Sequence, residues 1–465
     1  NLSGYLERYG RLREIRSTFD LRFFNIYESS ARVLFNSFPV ERYTALFDVS
    51  KPHLVIFGFK EMEQHIVLEA IRRCHYIDQK YLKITIIATE LDQYKNIFFS
   101  QYPQVHQVCD FTFIDQPFGR YSVTSIQDDL IKLGETDIPT GYFICEQDPT
   151  LGVTEALFLH EATQQVVKRN APIFVYMPSH SGLLKLLESN CGEPEVPDNI
   201  FSFGQLETVL SLDALMDDVL DVVGKTLHQG YLDIRKGSSD FGTKPADVKW
   251  EHLPSHFKSA NRQAGDHVSV KLNSLNSSFS LDKKRARVKY NSEDIEKLAE
   301  AEHRRWMSNY YVNGWVYGAV RSEVGKVHPE LVAWSALSDN SKEYDREQIR
   351  QVVDNYGKKN LVIGVISGDV GQKVKTADID LIIEEIENDY PNQNYFVMSS
   401  LGSILEIQNV EFLVQKLGAK LLVPLPLPYQ LYQDELLANK IDFFFRKLIG
   451  KSDKGLSCDL IVGCF

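Results

Sequence analysis

Cysteine is scarce in this 465-residue chain, and what there is lies scattered. The six thiols, at 74, 109, 145, 191, 458 and 464, include no CxxC pair, which argues against a zinc knuckle and for reduced cysteines in a cytosolic compartment. No run of about 18 apolar residues occurs, so no segment is built to span a bilayer. A positive charge balance is also lacking. Against 51 basic residues stand 63 acidic ones, a net charge of −12, whereas a nucleic-acid polymer calls for a basic surface. Metal-ligand spacing is absent as well: His252 and His256 are four apart, but Pro254 between them spoils a helical face and no third ligand is near. No metal site is expected.

What is present is ordinary globular material in an amount that fills roughly three or four domains. The chain starts at Asn1 with no Met and no signal-peptide pattern, and the expectation is a piece of a longer protein, with an upstream membrane segment left open. Residues 1–48 read as a connector-helix region, since Tyr5, Leu6, Tyr9, Leu12 and Ile15 recur at helical spacing. Apolar runs at 53–57, 83–88, 111–114, 141–145 and 172–177 alternate with helical stretches at 61–74 and 153–169. Continuous Val/Ile/Phe runs of this kind belong to strands buried on both faces. A Rossmann-like parallel sheet over 49–230 is therefore expected. The stretch 231–249 has the Gly, Ser, Asp and Pro of a linker, 250–358 is mostly helical, and 359–465 is a smaller α/β unit with strands near 361–366, 395–398 and 420–423 and helices near 378–388 and 406–417. The fold class is α/β multidomain.

Gly58-Phe-Lys-Glu-Met-Glu63 follows the first strand. A dinucleotide fingerprint needs glycine at the first, third and sixth places, and here Lys60 and Glu63 take the last two; a glutamate would repel a diphosphate at the helix N-terminus. Glu90, after the second strand, occupies the place of a ribose-binding carboxylate, with Asp92 nearby. The layout of residues 50–178 resembles the regulator-of-potassium-conductance domains, NAD-binding-type folds hung beneath channels and transporters. That resemblance implies a nucleotide or NAD-like ligand near Gly58 and Glu90, and homo-oligomers. A phosphate-loop ending, Gly224-Lys225-Thr226, lacks its upstream glycine and falls in the helical stretch 215–227, so it is set aside.

The densest constellation lies between 250 and 356. Glu302-His303-Arg304-Arg305-Trp306, Asn313-Gly314-Trp315-Val316-Tyr317-Gly318, His328-Pro329-Glu330-Leu331-Val332-Ala333-Trp334 and Lys342-Glu343-Tyr344-Asp345-Arg346 follow an upstream Trp250, Asn261-Arg262 and Asp266-His267. This pattern resembles the RyR domain, the repeat module of ryanodine receptors, and implies a sensor or docking module. All four tryptophans fall here. Indoles beside guanidinium groups can stack a base and grip phosphate, which makes Trp306, His303, Arg304, Arg305, Trp315, Tyr317, Asn261, Arg262 and Arg346 candidates for binding a ligand. Trp315 and Trp334 also read as core anchors. The basic run 283–289 reads as a solvated loop.

In the last unit, Gly364, Gly368-Asp369, Ser399-Ser400-Leu401-Gly402 and the Pro-rich 424–428 stretch resemble the SLOG superfamily of nucleotide-binding Rossmannoid domains, which implies a second nucleotide site at Gly364, Gly368, Ser399, Ser400 and Glu406. From these readings the chain is expected to be a non-enzymatic, cytoplasmic sensor, at the cytosolic face of an inner membrane, for an adenine nucleotide or a cyclic or ADP-ribose-like derivative. It would regulate a channel- or transporter-like membrane protein, and its domain company fits a role in defence against phage. Two alternatives stand: a soluble nucleotide-cleaving enzyme using Glu406 or Asp369, and a scaffold that binds nothing.

Overall fold

The strand-rich first third and the helical segment 250–352 do not build separate cores. In the computed structural model, which describes residues 25–38, 40–47, 49, 51–77, 81–116, 138–166, 171–179, 199–210, 221–237, 239, 241–275, 291–356, 360–367, 380–384, 386, 394–399, 404–422 and 460–464, the chain divides into two units. One comprises 1–279 with 291–352, the other 280–290 with 353–465.

The first unit opens with α1 (Ile26–Ser37), whose N-cap Asn25 accepts hydrogen bonds from the Tyr27 and Glu28 amides, and α2 (Val40–Leu46). Then come β1 (His53–Phe57), α3 (Glu61–Arg73), β2 (Leu82–Ala88), α4 (Leu91–Gln101), β3 (Cys109–Asp115), β4 (Gly141–Ile144), α5 (Pro149–Val166), β5 (Ile173–Tyr176), β6 (Ile200–Phe203) and the short α6 (Leu206–Val209). The six strands form one parallel sheet in the order β3-β2-β1-β4-β5-β6. This is the doubly wound Rossmann order, and it places a topological switch point between β1 and β4. All five residues of β1 are buried, as its unbroken apolar run requires. Its polar member, His53, pairs its Nε2 with Thr85 Oγ1 at 2.8 Å.

Two sequence expectations are revised here. Helices α1 and α2 belong to the Rossmann core: Ala31, Leu34, Phe35 and Val40 are buried in the same cluster as Leu54 and Ile56 of β1. Residues 1–24, with the periodic tyrosines and leucines, lie outside the described residues. Of the helix read at 215–227, residues 215–220 lie outside the described residues; 222–227 belong to α7 (Val222–Arg235), which runs into the stretch read as linker. There Asp247 is bound by Arg235 (3.0 Å), Tyr231 Oη (2.9 Å) and the Gly242 amide (2.9 Å).

The RyR-like stretch continues the unit with α8 (Ser255–Asp266), α9 (Val268–Leu275), α10 (Ser292–Val312), the two-residue strands β7 (Val316–Tyr317) and β8 (Val327–His328), and α11 (Asp339–Tyr356). A capping box starts α10, with Asn291 and Asp294 bonding each other's backbone amides. Gly314 (φ +80°) turns the chain after that helix. Helices α7 and α8 cross at glycines. A Cβ on Gly265 would meet the Gly224 amide at 2.8 Å, and one on Gly224 would meet the Asn261 carbonyl at 2.9 Å. The false phosphate loop is thus a helix crossing.

Val270 of α9 and Val312 of α10 are buried in the cluster that lines the sheet. Charge also joins the two segments. Arg32 of α1 grips Asp266 through Nε (2.8 Å) and Nη2 (3.1 Å), Arg73 of α3 donates to the Asp266 carbonyl (2.8 Å), and Asp221 receives Arg262 at 2.6 Å.

The second unit holds β9 (Asn360–Ser367), β10 (Asn394–Ser399), α12 (Ile404–Leu417), β11 (Lys420–Leu422) and β12 (Leu460–Cys464). Its sheet is parallel in the order β11-β10-β9-β12. β12 is an addition to the three strands read from the sequence.

Candidate functional site

Helix α10 gathers the aromatic residues of the RyR-like stretch by its own period. His303, Trp306 and Tyr310 stand three and four apart and share a face. The His303 ring stacks on Trp306 (centroids 5.4 Å, 19° between planes), and Tyr310 meets Trp306 at 4.3 Å. His328 of β8 presents its edge to both Trp306 (4.9 Å) and Tyr310 (5.1 Å), and Trp315 reaches Tyr310 at 4.9 Å. The pairing of β7 with β8 sets Tyr317 opposite His328; Tyr317 itself is exposed. Trp306 and Trp315 are half-buried.

Arg321 supplies the cation at this cluster. It lies 6.0 Å over the Trp315 ring, donates to Glu323 Oε1 at 2.7 Å, and approaches His328 Nε2 at 3.0 Å. His328 Nδ1 in turn faces the Glu330 amide at 3.1 Å. Both partners are donors, and a neutral imidazole accepts at only one nitrogen. Burial first, then the Arg321 charge, lowers the His328 pKa and keeps the ring neutral. Arg321 therefore faces an exposed glutamate, a contested acceptor and the Tyr310 side chain, and half of its side chain reaches solvent.

The other arginines read as candidates are engaged elsewhere. Arg305 is buried and donates twice to Glu302, at 2.9 and 2.8 Å. Glu302 also receives Lys271 Nζ at 2.7 Å and Gln348 at 3.0 Å. Burial opposes the charge on Glu302, but Arg305 and Lys271 outweigh it and hold that carboxyl well below its ordinary range. Arg304 donates to the Tyr76 carbonyl (2.7 Å) and to Glu300 (3.1 Å). Arg346 donates to Glu296 at 2.7 and 3.2 Å and lies 5.9 Å over Trp334, whose Nε1 also bonds Glu296. The Arg346 hydrogen bond lowers the Glu296 pKa. His303 anchors α10 to its neighbours: Nε2 donates to the Val332 carbonyl at 2.9 Å, and Nδ1 is 3.4 Å from Asp345. Arg262 pairs with Asp221, and the Asn261 amide donates to the Phe257 carbonyl. Trp250 stands apart, against His228 and under Lys258.

The structure thus brings together Trp306, His303 and Trp315, with Tyr317 linked to them only through its strand pairing with His328. Arg304, Arg305, Arg346, Asn261 and Arg262 serve contacts within the protein. Arg321, Tyr310 and His328 were missed by sequence reasoning. Arg321 carried a signal, in that it lies three residues beyond Gly318 in the segment that connects β7 to β8.

At the Rossmann switch point, Gly58 has φ +98°, the turn its position demands. A Cβ there would collide with Glu63 Oε1, so the Glu63 carboxylate fills the room a pyrophosphate would need. The amides of Lys60 and of Glu63 itself, at the start of α3, favour the charge of that carboxylate. Burial pushes its pKa up to about 7 against those backbone hydrogen bonds. Glu90 caps nothing; it is exposed, in a left-handed conformation (φ 57°) before α4.

In the second unit, Gly364 lies within β9 opposite Met398 and Ile461, and Ser399 ends β10 opposite Val365. Glu406 is in the first turn of α12. Gly368, Ser400 and the basic run 283–289 lie outside the described residues.

The RyR domain family model matches residues 281–361, so the resemblance read from the Trp306 and Trp315 motifs holds for that segment. Among solved structures, the chain is similar to UDP-GlcNAc 2-epimerase from Neisseria meningitidis bound to UDP-GlcNAc. The identity is 13%, over 89% of this chain and 77% of that one, with a TM-score of 0.18. The expectation of a chain without enzymatic activity is corrected on this finding, because the protein matched is an enzyme. At that TM-score the likeness carries no argument for any particular reaction. Among the described residues, no helix is long and apolar enough to cross a membrane, and no group of His, Cys, Asp and Glu could hold a metal ion.

Proposed function

We propose that this chain is a regulatory protein that responds to a nucleotide-derived ligand, received by the aromatic cluster of its RyR domain. The base stacks on the open surface of Trp306, Trp315 and Tyr317, and Arg321 exchanges its hold on His328 for a phosphate oxygen. One observation carries this reading: a half-buried indole cluster adjoins a guanidinium that competes with a backbone amide, across the two nitrogens of His328, for the ring's one acceptor. The ligand class is an adenine nucleotide or a cyclic or ADP-ribose-like derivative, since stacking plus a single Arg suits a base with few phosphates. The Rossmann sheet and the parallel sheet of the second unit, resembling conductance regulators and the SLOG superfamily, support a multi-domain sensor. It would act as a homo-oligomer on a channel- or transporter-like partner at the cytosolic membrane face, in a setting such as phage defence.

The test is calorimetric titration of the chain with ATP, cyclic AMP and ADP-ribose. Loss of a stacking partner costs about 1–3 kcal/mol, so Trp306→Ala should weaken the bound nucleotide roughly ten-fold or more, with Arg321→Ala comparable. Heats that are flat for all three nucleotides, or unchanged in both variants, overturn the reading. Chromatography of the same mixtures after incubation separates binding from turnover.

A further inference from the structure

The Rossmann crevice is built for the opposite charge from the one its fold usually serves. Three carboxylates line the carboxyl edge of the sheet where β1 and β4 diverge. Glu63 sits over Gly58 at the start of α3. Glu146 follows β4, close enough to Glu63 to be felt by its charge, and a Cβ on Gly152 of α5 would meet the Glu146 Cβ at 3.6 Å. Glu155, one turn further along α5, is 3% exposed and interacts with Glu146. Its Oε2 is buried with no hydrogen-bond partner. Among the described residues, no Lys, Arg or His comes within ion-pair distance of any of the three; Lys60 acts on Glu63 only from further off. The remaining titratable neighbours are Cys145 and Tyr176, which feel the Glu63 charge. Tyr176 is a half-buried ring at the end of β5.

An orphaned carboxylate oxygen out of water is costly, and so is each further carboxylate charge beside it. A bound cation removes both costs. We infer that this crevice binds an organic cation, a ligand carrying ammonium or guanidinium groups on an extended skeleton, with Glu155 and Glu63 as its main partners and Tyr176 offering a ring face. Glu63 and Glu155 each sense Glu146 between them but the three do not form a group able to chelate one metal ion, so separated donors on one molecule fit them better than a single ion. A phosphate ligand is disfavoured by the same geometry, because the Glu63 carboxylate stands over Gly58 where it would lie. The inference is independent of the aromatic cluster.

The probe is spermidine, titrated calorimetrically into the full chain at pH 7.5 in two buffers of different ionisation heat, with sodium and magnesium chloride at matched ionic strength as controls. Saturable binding is expected, with net proton release, because burial raises the Glu63 and Glu155 carboxyls to about 7 and about 8 and a cation displaces their protons. Glu155→Gln and Glu63→Gln, which keep shape and remove an unpaired charge, should each weaken binding at least ten-fold, while Glu90→Gln on the exposed turn leaves it unchanged. No spermidine binding, equal binding of magnesium, or full affinity in Glu155→Gln overturns the inference.

Discussion

Glu302 anchors two cations where no water reaches: Lys271 is fully buried and Arg305 nearly so. Removing one partner from such a group leaves the others uncompensated, which costs about 3–5 kcal/mol. Glu302→Ala is therefore expected to lower the urea-unfolding free energy of the first unit by that amount, far more than Glu300→Ala, whose carboxylate meets Arg304 at a solvated surface. Glu63 and Glu155 give the opposite pH signature. Their carboxyls sit at about 7 and about 8 in the folded chain, against 4.5 ordinarily, so between about pH 4.5 and 8 the folded state binds more protons than the unfolded one. Their contribution to stability is complete below 4.5 and is lost as pH rises through the folded values. The melting temperature should fall across that window, and the double substitution Glu63→Gln, Glu155→Gln should flatten the fall. An equally steep profile in that variant would refute the assignment. Residue chemistry was partly legible in advance. Glu63 was readable as a charge in the wrong place for a diphosphate. The commitment of Arg305 to Glu302 was not, because both acidic and basic residues crowd α10 and only tertiary packing chooses which of them are buried.

At the scale of elements, the α7–α8 crossing depends on two hydrogens in place of side chains. Gly265→Ala drives a Cβ into the backbone of Gly224, and overpacking of this kind costs about 1–3 kcal/mol. Differential scanning calorimetry should show a lowered melting temperature, and Gly224→Ala added to it should cost less than the two separately, because both force the same separation. The strands themselves were easy to read where they run through the middle of the sheet, since burial on both faces imposes unbroken Val, Ile and Phe. β6, Ile200-Phe-Ser-Phe203, escaped because an edge strand with a polar residue and only four positions carries no such run. β12, Leu460-Ile-Val-Gly-Cys464, escaped because nothing in its sequence tells that it returns beside β9. The two-residue β7 and β8 are below the length at which any period shows.

For the whole first unit, the sheet and the RyR-like helices share one apolar core through Val270 and Val312 and one ionic seam through Asp266. A fragment spanning 250–356 alone should then lack a cooperative thermal transition, while 25–356 melts as a single event; a sharp melt of the shorter fragment would show that the seam is dispensable. The 21 residues of α10 make a rod about 30 Å long. Trp306 lies on that rod two positions from Arg304, whose guanidinium is fastened to the Tyr76 carbonyl just beyond α3. With no joint between those two points, a tilt imposed at the indole reaches the helix layer of the Rossmann-like sheet as the far arm of a lever, without any chain having to unfold.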